Sequence, residues 1–157
     1  METIVAVIGA NNCESPVYDL AHAVGEQLAR QGFTLICGGL GGVMTAACQG
    51  AKAAGGRTIG ILPGNDPKSA NAWVDVAIAT GMGEARNTII VNTAAALVAI
   101  SGGYGTLSEI AFALRAKKPI IGLQSWTLSL PGETQQLLPI AITAEEAVAW
   151  VAAQMSL

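Results

Sequence analysis

The residues with the clearest capacity for chemistry lie in a glycine-rich stretch, residues 101–109, with the sequence SGGYGTLSE. The stretch follows an apolar run at 96–100 and opens a predicted helix that continues to Lys118, just before Pro119. Glycines allow a ligand to approach bare backbone N–H groups, and a helix N-terminus adds partial positive charge. The stretch therefore predicts a binding site for a phosphate or another oxyanion. The residues predicted to bind are Gly102, Gly103, Tyr104, Gly105, Thr106 and Glu109.

Glycine-containing turns also follow three earlier apolar runs, at residues 9–15 (GANNCES), 38–42 (GGLGG) and 63–64 (PG). If these runs are parallel strands, their carboxyl ends meet at one edge of the sheet, where the ligands of such sheets bind. One glycine turn is explained by tight strand-to-helix geometry, but two doubled-glycine turns at one edge favour an anion site. The residues predicted to bind from these turns are Gly9, Asn11, Gly38, Gly39, Gly41, Gly42, Pro63 and Gly64.

Arg86 is the cation that best fits this edge. Of the eight Lys and Arg residues, the sequence places only Arg86 and Lys68 there. Arg86 falls in the first turn or so of a helix predicted at 83–93, where a cation opposes the helix dipole at a cost of roughly 0.3–1 kcal/mol. That position favours a nearby anion, and the other interpretation is a surface arginine paired with Glu84. Asn87, the next residue, is predicted to bind with it.

Glu109 has two interpretations that the spacing leaves open. Residues 106–109 (TLSE) fit the capping-box pattern, in which the carboxylate accepts a hydrogen bond from the backbone N–H of Thr106. Alternatively, the Glu109 carboxylate faces a bound ligand.

Several enzyme classes are excluded because their motifs are missing. The first turn is not GxGxxG, and the second strand ends in CGG at 37–39 without the acidic residue that holds an adenosine ribose, which argues against a nicotinamide dehydrogenase. The chain has no P-loop and no GxSxG elbow, and its one histidine, His22, is interpreted as solvated or interfacial. Cys13, Cys37 and Cys48 have no metal-ligand spacing, so no metal site is predicted.

The composition of the chain indicates its domain organisation, its oligomeric state and the ligands it is unsuited to bind. At 157 residues the chain predicts a single domain spanning 1–157, and its 12% of charged residues, against a usual share of about 25%, favours a homo-oligomer with apolar interfaces. A net charge of −3 and 4% aromatic residues argue against nucleic acid as a ligand. No apolar run approaches the ~18 residues that a membrane span requires. Because the cysteine count is odd and no secretion signal is present, the protein is expected to be reduced and cytoplasmic.

Short apolar runs alternate with segments of helical periodicity along the whole chain. The predicted strands are 4–8, 34–37, 58–62, 75–79, 96–100, 120–123 and a short one at 140–142. The first helix is predicted to start at Ser15 and Pro16 as N-cap and first-turn residue and to stop at Gly32, and the last starts with a capping box at 143–146. Repeated units of this kind predict an α/β fold with a doubly wound parallel sheet in three layers.

The residues at the predicted edge resemble the LOG (lonely guy) family, once misannotated as lysine decarboxylases. The family signature is PGGxGTxxE with an upstream Met–Arg–Lys segment, and the counterparts here are residues 101–109 and 82–87 (MGEARN). The resemblance covers nearly the whole chain and implies a Rossmann-like homodimer or larger oligomer. LOG enzymes cleave the N-glycosidic bond of nucleoside 5′-monophosphates, and the resemblance implies that Arg86 and Glu109 would carry that reaction.

Departures from the signature point to another branch of the family. Asn87 stands where the enzymes have lysine, Ser101 replaces the proline, and the Met-to-Arg spacing is one residue longer. The short chain, the start AVIGANN and the motif ISGGYGTLSEIA are more similar to the branch that includes the molybdenum cofactor carrier proteins. Those proteins are homo-oligomers, typically tetramers, that hold and protect the cofactor. The phosphoribohydrolase is the alternative function, and a small-nucleotide sensing module is a third.

The carrier branch implies a ligand with two anionic ends. Molybdenum cofactor is a pterin dithiolene (molybdopterin) with a terminal phosphate at one end and an oxo-molybdenum centre at the other. The glycine turns at 38–42 and 102–106 are expected to donate backbone hydrogen bonds to it, while Arg86 neutralises phosphate or molybdate oxygens. The resemblance implies molybdenum enzymes as recipients and leaves a dimer or a tetramer open. A carrier needs no catalytic residue.

Overall fold

Seven strands form one parallel sheet in the order β4-β3-β2-β1-β5-β6-β7. The computed structural model describes residues 1–156, so Leu157, the last residue of the predicted domain, lies outside the described residues. Each predicted strand is present, with ends that agree within one residue. The strands are β1 (Ile4–Gly9), β2 (Thr34–Cys37), β3 (Thr58–Leu62), β4 (Val76–Ala79), β5 (Ala96–Ile100), β6 (Ile120–Leu123) and β7 (Ile140–Ala141).

Two helical layers cover the sheet. The helices are α1 (Val17–Arg30), α2 (Val43–Ala53), α3 (Asn87–Thr93), α4 (Tyr104–Arg115) and α5 (Ala144–Met155). Alternate residues of β1 point to opposite layers: Val5 and Val7 pack with α1, α2 and α5, whereas Ala6 and Ile8 pack with α3 and α4. Burial on both faces explains why the strand is a continuous apolar run. The predicted doubly wound, three-layer α/β fold is confirmed.

The order of the strands reverses between β1 and β5. From β1 the chain moves outward through β2, β3 and β4, then returns to β5 on the other side of β1. Helix α1 follows β1 on one face of the sheet, and helix α4 follows β5 on the opposite face. The loops that leave these two strands therefore diverge, and a crevice opens between them at the carboxyl edge.

Two predicted helix starts are corrected by the structure. Helix α1 begins at Val17 with Pro16 in the N-cap position, so Ser15 makes no capping hydrogen bond. The segment predicted as one helix at 83–93 is a 3-10 turn, Gly83–Arg86, followed by the short helix α3. Gly83 enters this segment with φ of +58°, a conformation outside the right-handed helical region, so the regular helix begins only after the turn.

Helix α4 ends at Arg115, three residues before the predicted end. Lys117 adopts φ of +55°, which stops the helix, and the N–H of Lys118 turns back to the carbonyl of Ala113 at 2.9 Å. None of the helices among residues 1–156 combines the length and apolar character that crossing a bilayer requires.

The predicted start of the last helix is confirmed with one change of partner. Thr143 Oγ1 accepts a hydrogen bond from the N–H of Glu146 at 3.2 Å, as a capping box requires. The Glu146 carboxylate accepts from the N–H of Ile142 at 2.9 Å, one residue before the expected donor.

Candidate functional site

A cavity of about 430 Å³ opens at the carboxyl edge, in the crevice between the loops that follow β1 and β5. Ionisable side chains line it from two sides, Arg86 and Glu84 from the 3-10 turn and Glu109 from α4. Four glycines, next to the ends of β1 and β2 and at the start of α4, also line it. The predicted site residues that line this cavity are Gly9, Asn11, Gly38, Arg86, Asn87, Gly103, Gly105, Thr106 and Glu109.

Arg86 is buried in the wall of the cavity, with only 6% of its surface exposed. Its Nε donates a hydrogen bond to the carbonyl of Ile61 in β3 at 2.8 Å, and its Nη1 donates to Oδ1 of Asn87. Glu84 Oε2 lies 3.9 Å from Nη1, on a side chain that is 82% exposed. Interpreting Arg86 as a surface residue is therefore wrong. Among residues 1–156, no protein acceptor bonds its Nη2.

Gly38 is needed because the guanidinium occupies the space beside it. A Cβ atom on Gly38 would lie 2.8 Å from Nη2 of Arg86 and 2.7 Å from Sδ of Met44, closer than side chains normally approach. The sequence suggested that this glycine exposes a backbone N–H. In the structure its main effect is to let a buried cation reach the cavity.

Glu109 is 7% exposed, and no described residue gives its carboxylate a hydrogen bond. Helix α4 begins at Tyr104, so Thr106 lies inside its first turn and Glu109 lies too deep to cap it. The capping-box interpretation of Glu109 is therefore wrong. Burial raises the pKa of Glu109, Arg86 opposes this rise and the nearby Glu84 carboxylate adds to it, so that the pKa is about 7.

The N-terminus of α4 faces the same cavity. Gly103 is the N-cap and no side chain caps the helix, so the first N–H groups of α4 have no partner within it. Gly103, Gly105 and Thr106 all line the cavity. An oxyanion at this point would meet the positive end of a 12-residue helix together with the Arg86 guanidinium.

The glycines at 38–42 mostly serve the protein itself. Gly41 donates its N–H to Oδ1 of Asn11 at 2.8 Å, and Gly39 donates to Sγ of Cys37 at 3.3 Å. Gly42, with φ of +57°, is pressed against the loop after β1, where a Cβ atom would lie 2.3 Å from the carbonyl oxygen of Ala10. These contacts join the loops after β1 and β2, and they leave the N–H groups of Gly39 and Gly41 already bonded.

Four other predicted residues lie outside the wall of the cavity. Gly102, with φ of +103°, packs on the side chain of Thr106. Tyr104 is 84% exposed and its ring lies 6.1 Å from that of Trp126. Pro63 and Gly64 shape the turn after β3, where their carbonyls accept hydrogen bonds from the N–H groups of residues 83 and 81.

A second cavity of about 380 Å³ adjoins the first and shares Asn11, Asn12 and Leu40 with it. Its other lining residues are Gly41, Thr45, Ser69 and Asn71. No ionisable side chain lines it, whereas the first cavity has three. The two cavities therefore adjoin, one lined by charged side chains and the other by neutral polar ones.

Lining residues that the sequence did not predict include Asn12, Leu40, Met44 and Glu84. Asn12, Leu40 and Glu84 sit within or beside the motifs and could have been included on position alone. Met44 lies in the first turn of α2, and its apolar side chain is typical of a core residue. No signal in the sequence distinguishes it from the other apolar positions of that helix. Among residues 1–156 no group of three or more His, Cys, Asp and Glu side chains could hold a metal ion.

The chain belongs to the SLOG cluster4 family, whose model matches residues 2–152. It is also 30% identical over 134 residues to a cytokinin riboside 5′-monophosphate phosphoribohydrolase from Mycobacterium tuberculosis, a match that covers 79% of this chain and 71% of the relative. The predicted membership of a LOG-type family is confirmed.

Two solved structures superpose on nearly the whole chain. The molybdenum cofactor binding protein of Rippkaea orientalis is 34% identical, with a TM-score of 0.89 over 99% of this chain and 98% of its own. The molybdenum cofactor carrier protein of Chlamydomonas reinhardtii is 34% identical, with a TM-score of 0.86 over the full length of both chains. The predicted placement in the branch with these carriers is confirmed.

Proposed function

We propose that this protein binds and carries molybdenum cofactor, holding its anionic groups in the cavity at the carboxyl edge of the sheet. The observation that carries the proposal is the convergence of a buried, incompletely bonded guanidinium and an uncapped helix N-terminus on one cavity. The similarity to two molybdenum cofactor proteins over nearly the whole chain supports the choice of ligand.

The residues fit an oxyanion at the charged end of this space. The N–H groups at the start of α4 and Nη2 of Arg86 are the donors, and Asn87 holds the guanidinium in place through Nη1. A terminal phosphate or the oxygens on molybdenum provide the matching acceptors. The cofactor supplies its redox chemistry elsewhere, while this chain would bind, orient and shield it from water and oxygen.

The second cavity supports a long ligand. A pterin is a flat polar ring, and the neighbouring space is lined by amide and hydroxyl side chains without charge. Asn11 and Asn12 lie where the two cavities join, which places polar groups between the two ends of a bound molecule. A small inorganic oxyanion would occupy only the first cavity, which the charged side chains line.

The backbone conformation of Ser101 differs from any that is open to the LOG enzymes, which have proline at this position. Ser101 has φ of +50°, which the proline ring cannot adopt, and its N–H donates to the carbonyl of Leu123 at 3.0 Å. The turn into the glycine motif must therefore be built differently where proline occupies this position. Asn87, in place of lysine, also removes a charge beside Arg86. Both features favour the carrier over the hydrolase.

The test is protection of the cofactor in air. Molybdenum cofactor released from a molybdenum enzyme is incubated with the purified protein, and the fraction that still activates a cofactor-free enzyme is measured over time. The wild type is expected to prolong the lifetime of the cofactor, and Arg86→Ala to lose most of the effect. Lys68→Ala, which removes an exposed cation near the same edge, is the matched control. An unchanged lifetime with the wild type would contradict the proposal.

The alternative function is hydrolysis of a nucleoside 5′-monophosphate. The phosphoribohydrolase relative favours it, as does a Glu109 carboxyl whose pKa of about 7 suits proton transfer at neutral pH. In that reaction Arg86 would orient the phosphoribosyl group while Glu109 assists the attacking water. Release of free base from adenosine 5′-monophosphate by the wild type, abolished in Glu109→Gln, would replace the carrier proposal with this one.

We also propose that the protein is a homo-oligomer, dimer or tetramer. Edge strand β4 exposes Val76 by 42% and Ile78 by 46%, which is unusual for apolar side chains on a strand. Light scattering during size-exclusion chromatography gives the mass in solution, and a monomer would contradict the proposal. A cytoplasmic location and delivery to molybdenum enzymes stay predictions from the sequence.

A further inference from the structure

Glu109 is the group in this cavity whose bonding is least complete. The residue is 7% exposed and lines the cavity, and no hydrogen bond joins its carboxyl to another group among residues 1–156. The buried side-chain oxygen without a partner among residues 1–156 is Thr34 Oγ1, so the Glu109 oxygens keep access to the cavity and a ligand there can reach them.

Few charged or titratable groups lie near enough to Glu109 to influence its protonation state. Helix α4 packs on β1, β5, β6 and α3, and none of these four elements carries an ionisable side chain. The titratable and charged groups that interact with Glu109 are Arg86 and Glu84 from the 3-10 turn and the buried thiol of Cys37 at the end of β2. One cation therefore faces two carboxyl groups around the space where an oxyanion would bind.

An oxyanion in this space would meet Glu109 as well as Arg86. If the carboxyl were ionised, two negative groups would be forced together in a poorly solvated site. Their repulsion would lower the affinity for the oxyanion several-fold or more. If the carboxyl is protonated, its O–H becomes a hydrogen-bond donor and the repulsion disappears. The Glu109 side chain thus weakens oxyanion binding when it is ionised and strengthens it when it is protonated.

We infer that Glu109 binds the oxyanion as the protonated acid, so that this cavity takes up one proton together with each oxyanion at alkaline pH. This inference rests on the proposed function and names the residue that decides which anions bind and when. The O–H of Glu109 donates to an oxyanion oxygen, while Nη2 of Arg86 and the start of α4 donate from the other sides. No covalent bond forms, and the proton comes from solvent or buffer.

The direction of the pH effect follows from the pKa of about 7 in the free protein. Below about pH 7 the carboxyl is already protonated, so affinity is constant and no proton is taken up. Above it, each pH unit lowers the affinity by up to about tenfold, because protonation must accompany binding. From about pH 6 to about pH 8.5 the expected loss is roughly 30-fold.

The experiment is calorimetric titration with molybdate and, separately, with sulfate, both of which stay dianions over this pH range. Titrations at about pH 8.5 in buffers of different ionisation enthalpy give the number of protons taken up. The wild type is expected to take up about one proton and to show the roughly 30-fold loss of affinity. Glu109→Gln, a neutral donor of the same shape, is expected to bind equally at both pH values without proton uptake.

Glu84→Gln is the control for the other carboxyl. Because the Glu84 carboxylate raises the pKa of Glu109, this variant is expected to keep a pH-dependent affinity and to shift its midpoint to lower pH. A pH-independent affinity in the wild type, a pH dependence retained in Glu109→Gln, or no measurable binding of either oxyanion at about pH 6 would overturn the inference.

Stability gives a second measurement that needs no ligand. The pKa of Glu109 is raised in the folded protein, so the stabilisation from its proton is complete at acid pH and is lost as pH rises through about 7. Relative to Glu109→Gln, the wild type is therefore expected to lose thermal stability from about pH 5 to about pH 8. Parallel curves for the two proteins would also overturn the inference. Proton-linked binding of molybdate without protection of the cofactor would contradict only the carrier proposal.

Discussion

Two glycine-rich segments follow strands β2 and β5 of the same sheet, yet they have different roles. In the loop at 38–42 the backbone bonds to the protein, with Gly41 donating to Asn11 and Gly42 pressed on Ala10. In the segment at 102–106, Gly102 and Gly103 precede an uncapped helix, and Gly103 and Gly105 line the cavity at its start. The same residue type therefore fixes the scaffold in one loop and leaves room for a ligand in the other.

The largest contrast is expected in stability. Gly42→Ala places a Cβ atom 2.3 Å from the carbonyl oxygen of Ala10 at a φ of +57°, so it should lower the free energy of unfolding by about 2–5 kcal/mol. Gly103→Ala meets nothing within 4 Å at a φ of −99° and should lower it by at most about 1 kcal/mol, the cost of replacing glycine by alanine at an N-cap. Urea denaturation measures both. Equal losses in the two variants would remove the distinction between the loops.

The next effect concerns the cation that serves the open loop. Arg86→Ala removes a charged hydrogen-bond donor and should weaken molybdate binding by about 1.5–3 kcal/mol, roughly 10- to 150-fold. Calorimetric titration at about pH 6 measures this affinity. Lys68→Ala should change it little, because Lys68 is exposed and screened by solvent. A similar loss in both variants would mean that general charge, and not the placed guanidinium, attracts the anion.

The smallest effect links the two loops. Gly38→Ala keeps every charge but places a methyl group 2.8 Å from Nη2 of Arg86, so the guanidinium must shift. The atoms that must move are the ends of flexible side chains, Arg86 and Met44, so the fold should persist. Molybdate affinity is expected to fall about 3- to 10-fold, up to roughly 1.4 kcal/mol. An affinity equal to that of the wild type would show that Gly38 does not position Arg86.

Much of the fold could be predicted because its signals are local. Continuous apolar runs identified strands buried on both faces, and their alternation with helical segments implied a parallel sheet with its ligand edge at the carboxyl ends. The same alternation predicts that the glycine motif and Arg86 lie at that edge. Helix ends were less predictable, as at Ser15 and Lys118, because they depend on turns such as the one at Lys117.

The sequence by itself determined which elements form, in what order, and which loops meet at one edge, since backbone periodicity and glycine content depend on neighbours in the chain. Only the tertiary structure decided what each site residue does. Arg86 is buried because the carbonyl of Ile61, distant in sequence, accepts its Nε–H. Glu109 lines the cavity instead of capping its helix, since α4 begins at Tyr104 and the crevice between the loops after β1 and β5 lies beside it. Such roles arise from contacts between segments, which no local pattern records.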